Sequence, residues 1–241
     1  MGDIPDGPGW CPAYAGRMAD EQRETSDQVT RSSARMAAGT TLRTILDLAI
    51  DGAPNWPGAK LAASRQLAKH PRTDDAIDAV VNSHIALAST SGFLTNVGGL
   101  VVTTITMPVN LVGLALLQGR MVAAIAHLRG YDIEDVRVRT AIMMCMLGGE
   151  EISRLSAKGK LPASPLLVAT APIVDPQLNE TVSERVVGNL FTTHGGKTLG
   201  VIATKRIPVL GGGIGAVFDG IATRQIGKFA KDELVQRRAI H

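Results

Sequence analysis

Five histidines, two cysteines and 22 acidic residues are the groups in this 241-residue chain that could move a proton, attack a carbonyl or hold a metal. His70, His84, His127, His194 and His241 never fall three or four apart, so no helix offers two imidazoles on one face to a metal ion. Asp74, Asp75 and Asp78, and likewise Glu150 and Glu151, stand where a helix would begin, and the helix dipole accounts for carboxylates there without an acid–base role. No Gly-x-Ser-x-Gly elbow occurs, and Cys145 lies between Met144 and Met146, the setting of a buried, inert thiol. Gly211, Gly212, Gly213 and Gly215 imitate a phosphate-cradling loop, but no Gly-Lys-Ser/Thr follows, and the spacing toward Phe218 departs from the dinucleotide fingerprint. Behind Ile207, Pro208, Val209 and Leu210 these glycines suit close helix contacts. The chain is therefore expected to use no catalytic residue, metal or cofactor of a familiar kind.

Its most informative feature is the absence of charge. Between Asp78 and Arg120 there are 41 consecutive residues without Asp, Glu, Lys or Arg. Asn82, Ser83, His84, Ser89, Thr90, Ser91 and Thr95 dilute the first part, whereas Val97 to Leu117 is far more apolar. About 20 apolar residues suffice to cross roughly 30 Å of hydrocarbon. Yet Thr103, Thr104, Thr106, Pro108 and Asn110 interrupt the run, and no Trp/Tyr belt flanks it. Three readings stand side by side: a membrane span, the central helical hairpin of a soluble bundle, and helices that pack at rest but can turn an apolar face to lipid. Gly98, Gly99, Gly113 and Gly119 suit close helix packing in any of them.

Composition narrows the class. Hydrophobic residues make up 45% and aromatics only 3%, so the core is built from Ala, Val, Leu, Ile and Met, a palette for close-packed helices. A net charge of +3 is too small an excess to imply nucleic acid, and the clustered cations are confined to Lys228, Lys231, Arg237 and Arg238. With few aromatics to stack bases, no nucleic-acid role is expected. Cys11 and Cys145 make neither a disulfide framework nor a zinc set, which points to a reducing compartment. The start Met1-Gly2-Asp3-Ile4-Pro5-Asp6 lacks the basic and apolar regions of a signal peptide.

The elements that must carry these residues read as helices. Residues 1–38, rich in Gly, Pro, Asp, Arg and Ser, read as a mobile polar arm, and 39–241 as one helical domain. Leu42, Ile45, Leu46, Ala49 and Ile50 form one apolar face, stopped by Gly52. A second helix after Pro57 carries Leu61, Leu67 and Ala68, and Thr73 is placed to cap a third. Pro108 opens a helix through Leu128, ending at Gly130. Asp132 and Asp135 can cap the next, with Val136, Met143, Met146 and Leu147 facing inward before Gly148 and Gly149. Glu150 to Lys158 is another short helix, and Pro162, Pro165 and Pro172 forbid a continuous helix from Leu161 to Val174. Asp175-Pro176 starts a helix closed by Gly195-Gly196. The last opens near Pro208, with Val209, Leu210, Ile214, Val217, Phe218 and Ile221 inward and Arg224 and Lys228 outward. The expected fold is all-α, a single multi-helix bundle with a central apolar, glycine-containing hairpin.

Two passages, from Arg120 through Gly130, Tyr131 and Asp132, and from Lys205 through Pro208, Gly211 and Gly215 to Asp219, resemble the EcsC family, named after a protein encoded beside a bacterial ABC transporter. The likeness extends from about Leu42 to Leu234. It implies an all-helical, bacterial, cytoplasmic-side protein associated with membranes or transport, and it transfers no catalytic residue. The long polar arm and the Ser/Thr-rich run before Val97 depart from the family. The leading expectation is thus a non-enzymatic protein, peripheral on the inner face of the cell membrane. Its partner would be lipid or a membrane protein, met through Phe93, Leu100, Val101, Ile105, Leu111, Leu114 and Leu117. A homo-oligomer is compatible with it. Two alternatives are a soluble protein holding an apolar small molecule near Met143, Met146 and Val136, and an enzyme of unfamiliar type using Arg120, Tyr131 and Asp132. Those three residues suit a buried salt link or a helix cap equally well.

Overall fold

The computed structural model describes residues 39–53, 56–89, 109–190 and 208–237, together with 33 and 37; for 109, 110 and 208–217 this extends to the backbone alone. The polar arm, and Phe93, Leu100, Val101 and Ile105, lie outside the described residues. Helix α1 covers 39–51 and leads into a two-stranded turn, β1 (Gly52–Ala53) against β2 (Trp56–Pro57). Then follow α2 (Ala59–Lys69), α3 (Thr73–Ala88), α4 (Val109–Leu128), α5 (Val136–Leu147), α6 (Gly149–Ser156), α7 (Pro165–Ala169), α8 (Pro176–Leu190) and α9 (Pro208–Glu233). The protein is an all-α multi-helix bundle whose sole described sheet is the two-residue pairing of β1 with β2.

Helix α4 is the axis of the bundle. At 20 residues it is long and apolar enough to cross a bilayer, but Leu111 through Ala126 are all buried inside the fold. Helices α2, α3, α5 and α9 pack around it. An element apolar nearly all round must be enclosed on every side, and here other helices of the chain do the enclosing. Small residues set how closely the layers approach. In α2 the buried residues are Ala59, Ala62 and Ala63, while Leu61 and Leu67 are exposed. Alanine lets the α2 backbone lie close to α4, and the leucines are left on the outer face.

Glycines do the same where α9 crosses α3. A side chain at Gly227 would come 2.9 Å from Val81, and one at Gly220 would come 2.3 Å from the Ser89 hydroxyl. With Lys231 on Asp78 at 2.6 Å, these contacts make α9 antiparallel to α3. Gln118 meets Thr223 at 3.5 Å and Met121 lies against Gly227, so α9 runs parallel to α4. The C-terminal end of α3 and the N-terminal ends of α4 and α9 therefore share one side of the bundle. Met146 sits against Gly119, so α5 returns antiparallel to α4. The Asn189 amide donates to the Leu147 carbonyl, which brings the end of α8 toward that same side.

Caps follow chemistry. Asp135 accepts from the Arg137 N–H at 2.8 Å to start α5, and Asp132 accepts from the Glu134 N–H within the preceding turn. Asp175 accepts from the N–H groups of Gln177 and Leu178 ahead of Pro176. Between Leu161 and Val174 the chain forms the single turn α7, with Ser164 capping Leu166 and Pro165 at the first helical position. Thr73 is itself the first residue of α3 rather than its cap, and the first turn is held by Arg72 on Asp75 at 2.6 Å. Val136, Phe218 and Ile221, expected inward, stand 47%, 44% and 49% exposed. Val136 is the first residue of α5 and has no turn before it to pack against. Phe218 and Ile221 lie on the side of α9 away from α3 and α4, whose contacts are taken by Gly220, Thr223 and Gly227.

Candidate functional site

The turn between α1 and α2 presents a tryptophan, and only a glycine pair permits its path. Gly52 has φ +89°, a conformation that side chains disfavour, and a side chain at Gly58 would come 2.3 Å from the Ile50 carbonyl oxygen. This tight return pairs Ala53 with Trp56 and packs the indole with Leu87, Ala88 and Leu117. Arg120, one turn further along α4, lays its guanidinium over the Trp56 ring, 4.5 Å from the centroid.

That guanidinium has no other protein partner among the described residues. Arg120 is 7% exposed, its Nε is enclosed and unpaired, and no carboxylate lies within ion-pair distance. The reason is written in the chain: no Asp or Glu occurs between Asp78 and Asp132, so neither α4 nor the end of α3 can supply one. Burial, helped by the nearby Arg65 cation, brings its pKa down to about 10. His84, on α3 and 2% exposed, directs Nδ1 to the Val80 carbonyl at 2.7 Å, which leaves Nε2 enclosed without a donor. Burial holds the imidazole down to about 4, against the pull of the Val80 carbonyl and with the help of the Arg120 charge. It is therefore neutral at pH 7, with its proton on Nδ1.

Trp56 also lines a surface cleft of about 710 Å³, walled by Ile50, Asp51, Lys60, Leu61 and Arg65. Lys60 is engaged by Glu134 at 2.7 Å, a contact that raises the ammonium pKa and lowers that of the carboxyl. Arg65 is exposed at the rim.

The other singled-out residues fall elsewhere. Leu111, Leu114 and Leu117 are buried inside the bundle. Eight residues of α4, about 12 Å of helical rise, and then the turn at Gly130 separate Arg120 from Tyr131, so Arg120, Tyr131 and Asp132 are not brought together. The Tyr131 hydroxyl donates to the Val235 carbonyl at 2.9 Å, Arg237 lies over its ring, and the Arg237 N–H donates to the Arg129 carbonyl. The Gly130-Tyr131-Asp132 turn is thus a seat for the segment after α9. Pro208, Gly211 and Gly215 lie in the first turns of α9, which are helical. Met143 and Met146 are enclosed in the packed core, and the described cavities open elsewhere, at Trp56 and beside Val174. Cys145 is fully buried, and burial raises its thiol pKa.

Sequence reasoning missed Trp56, His84 and Arg65. One signal was present: the chain holds only two tryptophans, and this one stands between Asn55 and Pro57-Gly58, where it cannot belong to a helix interior. No family model matches the chain, and no curated protein or solved structure matches it.

Proposed function

We propose that this protein is a non-enzymatic helical protein of EcsC type. In this reading it attaches peripherally to the inner face of a bacterial membrane, with lipid or a membrane protein as partner, through one end of its bundle. The observation that carries it is the convergence at that end. Helix α3 stops there, α4 and α9 begin there, and α8 points toward it. The sequences attached there contain no acid: residues 79–119 hold no charge, and 186–218 hold only the cations Lys197, Lys205 and Arg206. On the described part of α9 beside it, Phe218 and Ile221 are exposed. Apolar side chains with a few cations and no carboxylate suit an anionic bilayer surface, where each cation adds about 1 kcal/mol. The apolar run thereby divides in two: Leu111–Leu117 serve the core, and Phe93, Leu100, Val101 and Ile105 remain the contact candidates.

Flotation tests this. Wild-type protein is expected to rise with vesicles of phosphatidylcholine and phosphatidylglycerol, more weakly at high salt, and to be released from cell membranes by carbonate. Leu100→Asp with Phe218→Asp is expected to stay at the bottom while keeping a native helical circular-dichroism spectrum. Wild-type protein that fails to float, or a double variant that floats as well as wild type, defeats the reading.

A further inference from the structure

The cleft beside Trp56 carries two opposite charges that answer neither each other nor any other group among the described residues. Asp51 and Arg65 both line it, both are exposed, and neither has an ion-pair or hydrogen-bond partner there. The third charge on the wall, Lys60, is already engaged by Glu134 at 2.7 Å. Asp51 is the last residue of α1, where the helix dipole also favours a cation. The fold sets the spacing of the free pair. A side chain at Gly58 would come 2.7 Å from the Asp51 carbonyl carbon, so the start of α2 abuts the end of α1. Arg65 lies seven residues beyond Gly58, about 10 Å of helical rise, which puts the two charges too far apart to pair. The rest of the lining includes Ile50, Trp56 and Leu61, and Leu61, on α2 between Gly58 and Arg65, is 46% exposed. The volume of about 710 Å³ falls in the range, roughly 300–1,000 Å³, of sites that take small ligands.

We propose that this cleft binds a short zwitterionic chain with an apolar middle, its ammonium on Asp51, its carboxylate on Arg65 and its body along Leu61. Both ends then make charge-assisted hydrogen bonds, and the guanidinium fork matches the two carboxylate oxygens. A ligand with one charge leaves the opposite group unanswered, and a single α-amino acid is too short to reach both. An extended chain advances about 3.3 Å per residue, so three residues span the distance between Asp51 and Arg65. An ω-amino acid of the same length offers the same two charges without peptide groups, and the probes separate the two sources. The site does not depend on membrane attachment: its residues lie on α1, α2 and the turn between them.

The experiment is isothermal titration calorimetry of the full chain, without vesicles, against the tripeptide Gly-Leu-Gly, its N-acetyl form, its C-terminal amide, free leucine and ω-aminooctanoate. The unblocked tripeptide is expected to bind, each blocked form to bind about tenfold more weakly or worse, and leucine to give no measurable heat. Binding of ω-aminooctanoate as tight as the tripeptide or tighter assigns the site to ω-amino acids, and weaker binding assigns it to peptides; either supports the site. Asp51→Asn and Arg65→Gln change exposed, unpaired groups, so both variants are expected to keep the wild-type Tm. Asp51→Asn is expected to bind the free and the acetylated peptide equally while still preferring the carboxylate to the amide. Arg65→Gln is expected to show the converse. Failure of both the tripeptide and ω-aminooctanoate to bind, leucine or a blocked peptide binding as tightly as the tripeptide, or either variant keeping wild-type affinity would each overturn the proposal.

Discussion

Two arginines near the α1–α2 turn are treated in opposite ways. Arg139, on α5, is bound on every side: Nε donates to the Ile133 carbonyl at 3.1 Å, Nη2 meets Glu134 at 2.5 Å, and Nη1 meets Asp47. Glu134 in turn holds Lys60, so the start of α2, the turn before α5 and helix α1 are laced together at the surface. Arg120 is more deeply buried than Arg139 and has, among the described residues, only an indole. The chain contains enough carboxylates to serve both, and it places them around Arg139. The difference teaches that the bundle does satisfy an arginine where it uses one as a brace. The guanidinium at Trp56, unanswered among the described residues, is then a feature of that place and not of the protein at large.

The largest way to break the comparison is to spoil the turn that brings Trp56 to Arg120. Gly58→Ala puts a methyl group 2.3 Å from a backbone oxygen of α1, which no rotamer change relieves. A loss of about 3 kcal/mol or more is expected in urea unfolding. In a Trp10→Phe background the emission of Trp56 should also move to the red as the indole leaves Leu117 and Ala88. Wild-type stability in Gly58→Ala would show that the turn tolerates slack and that the stacking of Arg120 on Trp56 is incidental.

That turn also marks where the sequence stopped being readable. The helices were legible because period and caps agree: Leu42 to Ile50 share a face, Asp135 and Asp175 cap the helices after them, and prolines break Leu161–Val174. Gly52 was legible as a stop, but a stop says nothing of where the chain goes next. The return that lifts Trp56 onto α4 depends on a contact between Gly58 and Ile50 that no periodicity encodes. The uncharged run announced an element in greasy surroundings without saying whose. Burial of Leu111 to Ala126 answers that for α4, through packing partners as distant in sequence as Thr223 and Met146. Arg120 was legible as the residue that ends the run, and a buried salt link was one of its readings. Among the described residues it is buried without the link, because the nearest acids along the chain belong to other networks: Asp78 to Lys231, and Asp132 to the turn before α5.

A smaller effect sharpens the contrast by pH. His84, beside Arg120, is held at about 4 in the fold against an ordinary value of 6.5. The unfolded chain therefore takes up a proton that the folded chain refuses. The stability tied to His84 is fully present above pH 6.5 and is lost as pH falls toward 4. The loss approaches 1.4 kcal/mol per pH unit and totals about 3 kcal/mol. The Arg139 side behaves differently. Hydrogen bonding to Lys60, and then to Arg139, holds the Glu134 carboxyl below its usual range, and Arg137 does the same for Asp135. Their contribution persists above the ordinary carboxylate range and is lost only as pH falls below it. Urea midpoints measured from pH 8 to 3 should fall in two stages, and His84→Gln should remove the larger part of the first and spare the second; the rest of the first belongs to His127, whose imidazole is also held down by burial and by the Lys60 cation. A single fall beginning below pH 4.5 would mean that His84 is reached by water and that the Arg120 environment is not dry.

The smallest effect has the most telling sign. Arg139→Ala removes a guanidinium that is 20% exposed from two half-exposed carboxylates and one carbonyl. Exposed ion pairs contribute little individually, but a network that ties three elements with charge-assisted bonds should lose about 1–2 kcal/mol. The loss should shrink at high salt, because Asp47 and Glu134 are open to counterions. Arg120→Met, made in the same background and measured in the same titration, should move stability the other way and should not respond to salt, because its charge is enclosed. The two changes touch separate partners, so the double variant should equal their sum. If both arginines destabilise when removed, Arg120 is a brace like Arg139, and the contrast between them disappears.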